Sequence, residues 1–319
     1  MFEQLVEIFT SVAFYAAVIR LTAPLLLAAM GGLVAERAGI ITFGMEGMML
    51  MGAIGGAVGS YYTGSVLGGL AFAMLAGMFL ALLYGVMCVS VGANQVVSAV
   101  ALNLGALGLS STIFALVFSN RAVGVVTEVV SVPSMQPVKI PLLGDIPILG
   151  DILFNQLPLV YLALISVPIV WFVLYRTTIG LKIRSVGEHP HAADTVGINV
   201  VRVRYLSVLF TGLMAGLAGA LLSIGMLNTF QENMSAGRGF IAYTAIIFGK
   251  WEPLGIFLGT LLFGLADAIQ LRIQALNLPI PYQFWVAFPY LVTLLALVLF
   301  VGKATWPAAS GQPFKREGK

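Results

Sequence analysis

The sequence predicts an all-α fold: a polytopic transmembrane helical bundle of about nine spans, one of them short or re-entrant. Three observations carry this. Apolar residues make up 60% of the chain and charged residues 9%, with a mean hydropathy of +1.01, whereas soluble proteins hold roughly 45–50% and about 25%. Apolar runs recur at about the length a helix needs to cross some 30 Å of hydrocarbon. The 36 glycines suit closely packed helices better than an open barrel.

The first apolar run follows "MFEQLVEIFTSV", which carries Glu3 and Glu7 but no basic stretch, so it is expected to remain as a span rather than act as a cleaved leader. Apolar runs read against charges place spans near 12–34, 44–60, 66–91, 96–118, 157–175, 203–226, 240–249, 253–271 and 286–301, all within one transmembrane domain, 1–319. The segment 176–202 carries Arg176, Lys182, Arg184 and Arg202 against Glu188 and Asp194, while 119–156 carries Arg121 and Lys139 against Glu128, Asp145 and Asp151. The positive-inside rule therefore puts 176–202 in the cytoplasm and 119–156 outside. The tail 302–319, with Lys303, Lys315, Arg316 and Lys319, is expected to be cytoplasmic, and alternation puts the N-terminus outside. The prolines of 119–156 (Pro133, Pro137, Pro141 and Pro147) suggest an ordered external cap with short strand or helix pieces.

Because the basic residues lie beside spans, the net charge of +3 reports topology and does not call for nucleic acid. The single Cys88 excludes an internal disulfide and supports no metal site.

Between the fifth and sixth spans lies a polar island, "GEHPHAADTVGIN", Gly187–Asn199. Pro190 suits the first position of a helix and Gly197 the left-handed stop after its last turn, which gives a helix of about 10 Å. Alone in water so short a helix does not hold, so it is expected to lie against its own spans or a cytoplasmic partner. His189 and His191, two residues apart, fall on different faces, and no other histidine exists to complete a metal site.

Three blocks carry a family resemblance: "GLKIRSVGEHPHAADTVGINVVRVRYLSVLFTGLMAGLAGA" (Gly180–Ala220), "ERAGIITFGMEGMMLMGA" (Glu36–Ala53) and "NMSAGRGFIAYTAIIFGKWEPLGIFLGTLLFG" (Asn233–Gly264). Together they resemble ABC importer permeases of the branched-chain amino acid/ribose superfamily, in its nucleoside (simple sugar) branch. The resemblance implies a type II-like permease of the bacterial cytoplasmic (inner) membrane. It also implies that Gly187–Gly197 is the coupling helix seated in a groove of an ABC ATPase subunit, with Gly187, Glu188, His189, Pro190, Ala192, Ala193, Asp194 and Gly197 at that contact. A second homologous permease, a relative rather than a copy, and an extracytoplasmic substrate-binding lipoprotein are the other implied partners. Thr42 departs from the family pattern, which more often has Asn there. The chain contains no GxxxxGK[ST] phosphate loop, so ATP and Mg are expected on the partner ATPase and no cofactor on this chain.

Short or glycine-interrupted apolar segments are the best sequence pointers to a transport path. Two qualify: 36–60, punctuated by Gly39, Gly44 and Gly47, and 237–254, where Gly237 and Gly239 open a run too short to cross and "GKWEP" closes it. Glu46, Gln95, Ser98, Asn103, Phe240 and Tyr243 are the path candidates. Glu46 also suits a helix N-terminus, Gln95, Ser98 and Asn103 share one broad helix face that interhelical bonding would explain equally well, and Phe240 and Tyr243 fit either core packing or stacking on a purine. Lys250, Trp251 and Glu252 read as an interfacial anchor. The expected cargo is a neutral solute, nucleosides first and simple sugars next. A stand-alone secondary carrier and an intramembrane enzyme are the alternatives, and neither gives the island helix a role.

Overall fold

In a computed structural model of the chain the described residues are 9, 11–118, 131–141, 144–275, 283–285, 287–289, 291–292, 295 and 306–315. The expected span at 286–301 lies largely outside them, as does the start of the external segment, 119–130. Among the described residues six helices are long and apolar enough to cross a membrane: Val12–Arg37, Val66–Ser90, Gln95–Phe118, Pro158–Arg176, Val200–Leu227 and Pro253–Gln274.

In chain order the helices are α1 (Val12–Arg37), α2 (Met45–Thr63), α3 (Val66–Gly85), α4 (Gln95–Phe118), α5 (Leu149–Leu153), α6 (Pro158–Arg176), α7 (Thr178–Glu188), α8 (Pro190–Thr195), α9 (Val200–Ala220), α10 (Arg238–Phe248) and α11 (Pro253–Ala275). Wider π-helical turns, Val86–Ser90 and Leu221–Leu227, continue α3 and α9. Eight of the expected spans coincide with α1–α4, α6 and α9–α11, the boundaries differing by a few residues.

Helices α1, α2 and α9 form the centre, and α3, α4, α6 and α11 surround them. Without a hydrophobic drive between helices in lipid, close approach of backbones supplies the attraction. Gly52 meets Gly216 of α9, and Gly77 of α3 meets Gly212 of α9, so closely that an added Cβ would overlap the partner main chain. Alanine at either contact would force the central helices apart.

One end of the bundle carries the segment expected to be external. Strands β1 (Val138–Lys139) and β2 (Asn155–Gln156) pair antiparallel, Val138 opposite Gln156 and Lys139 opposite Asn155. The segment is tied down where α2 and α9 end: Ser60 Oγ donates to Pro133 O (2.7 Å), Val132 N to Asn228 O (3.0 Å) and Met135 N to Ile224 O (2.9 Å). The other end carries α7, α8 and the returning segment 306–315.

A candidate translocation seam and coupling surface

After α1 the chain turns at Gly39 (φ +83°) and re-enters the bundle as an irregular stretch before α2. Backbone groups away from water must find partners inside the protein, and side chains from three other elements supply them here. Glu36 accepts from Thr42 N (2.7 Å), Thr42 Oγ1 (3.2 Å) and, through its other oxygen, Trp251 Nε1 (3.3 Å). Gln95 Oε1 accepts from Ile41 N (2.8 Å), and the Tyr84 hydroxyl donates to Ile41 O and Gln95 O. Asn103 works at both ends of its amide: Nδ2 donates to Phe43 O (3.1 Å) and Oδ1 accepts from Gly47 N (2.9 Å) in the first turn of α2.

Helix α10 is the other broken piece. Its 11 residues span about 16 Å, half a bilayer core, and its N-terminus presents unpaired N–H groups inside the bundle. Glu46 of α2 satisfies them: Oε1 accepts from Gly237 N (2.9 Å) and Ser235 Oγ (2.5 Å), and Oε2 from Gly239 N (2.7 Å). Its carboxylate thus bridges the positive dipole ends of two helices, its own and α10, and only 7% of the residue is exposed. Gly239 makes the approach possible, since a Cβ there would strike the Glu46 main chain.

In the "GKWEP" turn that ends α10, Lys250 and Glu252 are exposed but Trp251 is part of the interior, not an interfacial anchor. Trp251 is 2% exposed, because the left-handed backbone at Lys250 and Trp251 (φ +53° and +57°) folds the indole inward onto Glu36. Arg37 then clamps the turn, donating to Trp251 O (2.8 and 3.1 Å), the Tyr175 hydroxyl (3.0 Å) and Glu252 (3.3 Å). Two of the three sequence blocks are therefore joined directly.

Ser98 and Gln95 are buried on the stripe of α4 that faces α2; Gln95 Nε2 lacks a partner among the described residues. The surface left open beside this seam is aromatic. Phe240 and Tyr243 of α10 both meet Phe43, ring centroids 5.2 and 5.1 Å apart, and Phe240 is 37% exposed. Phe43 was not singled out in the sequence, where it follows "GIIT" without periodic signal. Arg20 lies elsewhere, donating to Gln156 Oε1 (3.3 Å) on the wall of a 400 Å³ pocket beside β2.

At the opposite end from β1 and β2, the polar island begins in the last two residues of α7 and continues as α8. Pro190 opens α8 with His189 as N-cap. Gly197 (φ +85°) closes it, with Gly197 N donating to Asp194 O and Ile198 N to Ala193 O, both at 3.0 Å. The candidate contact residues divide by direction. Ala193 points inward to Val186, Val200, Val203 and Phe314, and Gly187 is buried against Arg37 O. His189, His191, Ala192, Thr195 and Val196 face solvent.

Segment 306–315 straps this island to the seam. Ala309 N donates to Gly187 O (2.9 Å), Ala308 N to Glu188 Oε2 (3.3 Å) and Gly311 N to Gly39 O (3.2 Å), while Phe314 lies against His191 at 5.1 Å. Beneath it, Arg204 of α9, 1% exposed, donates to Gln312 O (2.9 Å).

A glycine-packed apolar bundle in which a half-helix meets an irregular re-entering stretch, with a capped helix held outside it, defines a membrane translocation subunit. The chain belongs to the family described as the permease component of branched-chain amino acid transport systems, which matches residues 14–300, and it is an integral protein of the cytoplasmic (inner) membrane. It is 38% identical to the guanosine ABC transporter permease protein NupQ of Bacillus subtilis, over 92% of this chain and 93% of the relative. It is 36% identical to the nucleoside permease protein NupC of Lactococcus lactis, over 90% and 92% of the two chains. A putative glucose permease protein of Haloferax volcanii, TsgC13, is 42% identical over 80% of this chain and 75% of its own.

Proposed function

We propose that this chain is the permease subunit of an ATP-driven importer and that nucleosides are its cargo. The observation that carries the reading is full-length similarity, at 38% and 36% identity, to permeases described as guanosine and nucleoside transporters. The open aromatic group Phe43, Phe240 and Tyr243 supports it, since aromatic faces stack on a nucleobase with little regard to its hydrogen-bond pattern. The carboxylates of the seam, Glu36 and Glu46, are taken up by backbone and side-chain donors of the protein, and the open aromatic face beside them suits a neutral solute better than an ion.

In this reading the cargo passes between the Phe43 face and the matching face of a second, homologous permease, arriving from an extracytoplasmic binding lipoprotein. An ABC ATPase subunit holds ATP and Mg, and grips the exposed side of α8. Closure of the ATPase pulls on α8, and the strap 306–315 carries that movement to Gly39 and hence to the seam. The residues that touch the ATPase are His189, Ala192 and Thr195; Gly187, Ala193 and Gly197 shape the helix that presents them. A simple-sugar cargo is the second reading, favoured by the 42% identity to the putative glucose permease.

The test is uptake into proteoliposomes holding this chain with its partner ATPase and second permease, supplied with the binding lipoprotein. ATP-dependent accumulation of labelled guanosine, not reduced by excess glucose, is expected. ATP-dependent glucose uptake without guanosine uptake would transfer the assignment to sugars, and uptake by this chain alone without nucleotide would overturn the importer reading.

A further inference from the structure

Helices α6 and α9 each pack on α1 but leave a groove of about 730 Å³ between them, unconnected with the Phe43 face. Val34 of α1 lines it, Val170 and Val173 of α6 contribute one wall, and Leu206 and Phe210 of α9 the other. Helix α7 and residues 196–199 close its cytoplasmic end, where Lys182 and Arg202 stand exposed at the rim. Among the described residues the ion pairs are Arg37–Glu252 and Lys139–Asp145, so neither rim cation is in one. We propose that this groove binds one anionic phospholipid of the cytoplasmic leaflet, its acyl chain between α6 and α9 and its phosphate between Lys182 and Arg202.

Size, polarity and position select that occupant. A helix 10–12 Å across fills about 500 Å³ per turn, so the groove would take little more than one turn of a docking helix and bury too little to hold it. A narrow acyl chain fits the same volume along its length. The walls are apolar and open sideways from two membrane-crossing helices, Ile169 and Leu206 being more than half exposed, so the groove faces hydrocarbon. A pair of cations at the cytoplasmic level of such a groove is the arrangement that retains acidic headgroups. The end of the groove is built from Val196, Gly197 and Ile198, so a bound lipid also supports the stop of the coupling element.

The experiment uses the full chain in nanodiscs of mixed phosphatidylglycerol and phosphatidylcholine, with retained lipids counted by native mass spectrometry. One phosphatidylglycerol per chain is expected, its preference over phosphatidylcholine falling about five-fold in K182Q or R202Q and about 30-fold in the double variant. L206W, which fills the groove and leaves both cations, should expel lipid of either headgroup. Equal retention of the two lipids by the unaltered chain, or unchanged retention in K182Q/R202Q, would overturn the site. So would a photoreactive group at Leu206 that labels a partner protein rather than lipid in the assembled transporter. None of these readouts depends on the cargo assignment.

Discussion

The seam around Glu46 and the polar island around Pro190 are built from the same kinds of residue, carboxylates, amides and glycines, yet they use them in opposite ways. In the seam, Glu36, Glu46 and Asn103 turn their polar atoms onto backbone groups of another segment. In the island, His189, Ala192 and Thr195 face outward, while the backbone is satisfied by α8 itself and by the strap. Depth explains the difference. Inside the bundle no water is available to an irregular backbone, so side chains there hold the fold, whereas at the surface they are available to a partner. Substitutions in the seam should therefore cost stability first, and substitutions on the outer face of the island should cost coupling first.

The largest effect should follow Glu46→Ala. Three donors lose their acceptor, two of them backbone N–H groups at the start of α10, that of its N-cap Gly237 and that of Gly239, and each hydrogen bond to a charged group contributes about 1.5–3 kcal/mol. A loss of at least about 3 kcal/mol is expected, read as a lowered melting temperature in detergent. Unchanged melting would remove Glu46 from its capping role and return it to the transport path.

Asn103→Leu comes next, at about 2 kcal/mol for two neutral hydrogen bonds. Its amide is engaged with Phe43 O and Gly47 N, so the variant should melt earlier and take up every cargo more slowly. A change of cargo preference at unchanged melting temperature would mean that Asn103 contacts the solute directly.

In the island, Gly197→Val should cost about 1–2 kcal/mol, because a β-branched residue resists the left-handed conformation that ends α8. Stimulation of the partner ATPase should fall with it. Ala192→Glu and Ala193→Glu separate the two faces of the helix. The first alters an exposed position and should reduce ATPase stimulation at normal stability. The second drives a charge into the Val186 and Val200 cluster and should weaken the fold of the island itself. Equal behaviour of the two would erase the distinction between the inner and outer faces of α8.

The spans were legible because hydrophobic run length is a local property, and α1–α4, α6 and α9–α11 follow the expected boundaries. Pro190 and Gly197 also declared α8, since both act through their own φ. The same spacing that put Gln95, Ser98 and Asn103 on one face could not say what lies opposite, because Ile41, Phe43 and Gly47 come from a segment more than 50 residues away. Trp251 was misplaced at the interface for a related reason: two left-handed non-glycine residues turned it inward, and no pattern announces that. The strap 306–315 has no periodicity at all and is held mostly through backbone atoms, which every sequence possesses.

The smallest expected effect tests the one part of the seam that is not scaffold. Phe240 is 37% exposed and its ring lies against Phe43, while α10 is capped through Gly237 N and Gly239 N, so Phe240→Ala leaves that capping intact. Stacking on a base contributes about 1–3 kcal/mol by alanine substitution, and at an open position the low end applies, so apparent affinity for guanosine should drop roughly five-fold with the melting temperature held. Phe240→Tyr, which keeps the π face, should restore it. If instead Phe240→Ala lowers the melting temperature and leaves guanosine uptake alone, the aromatic group is packing like the residues around it, and the solute must pass where the polar atoms of the second permease, not this one, select it.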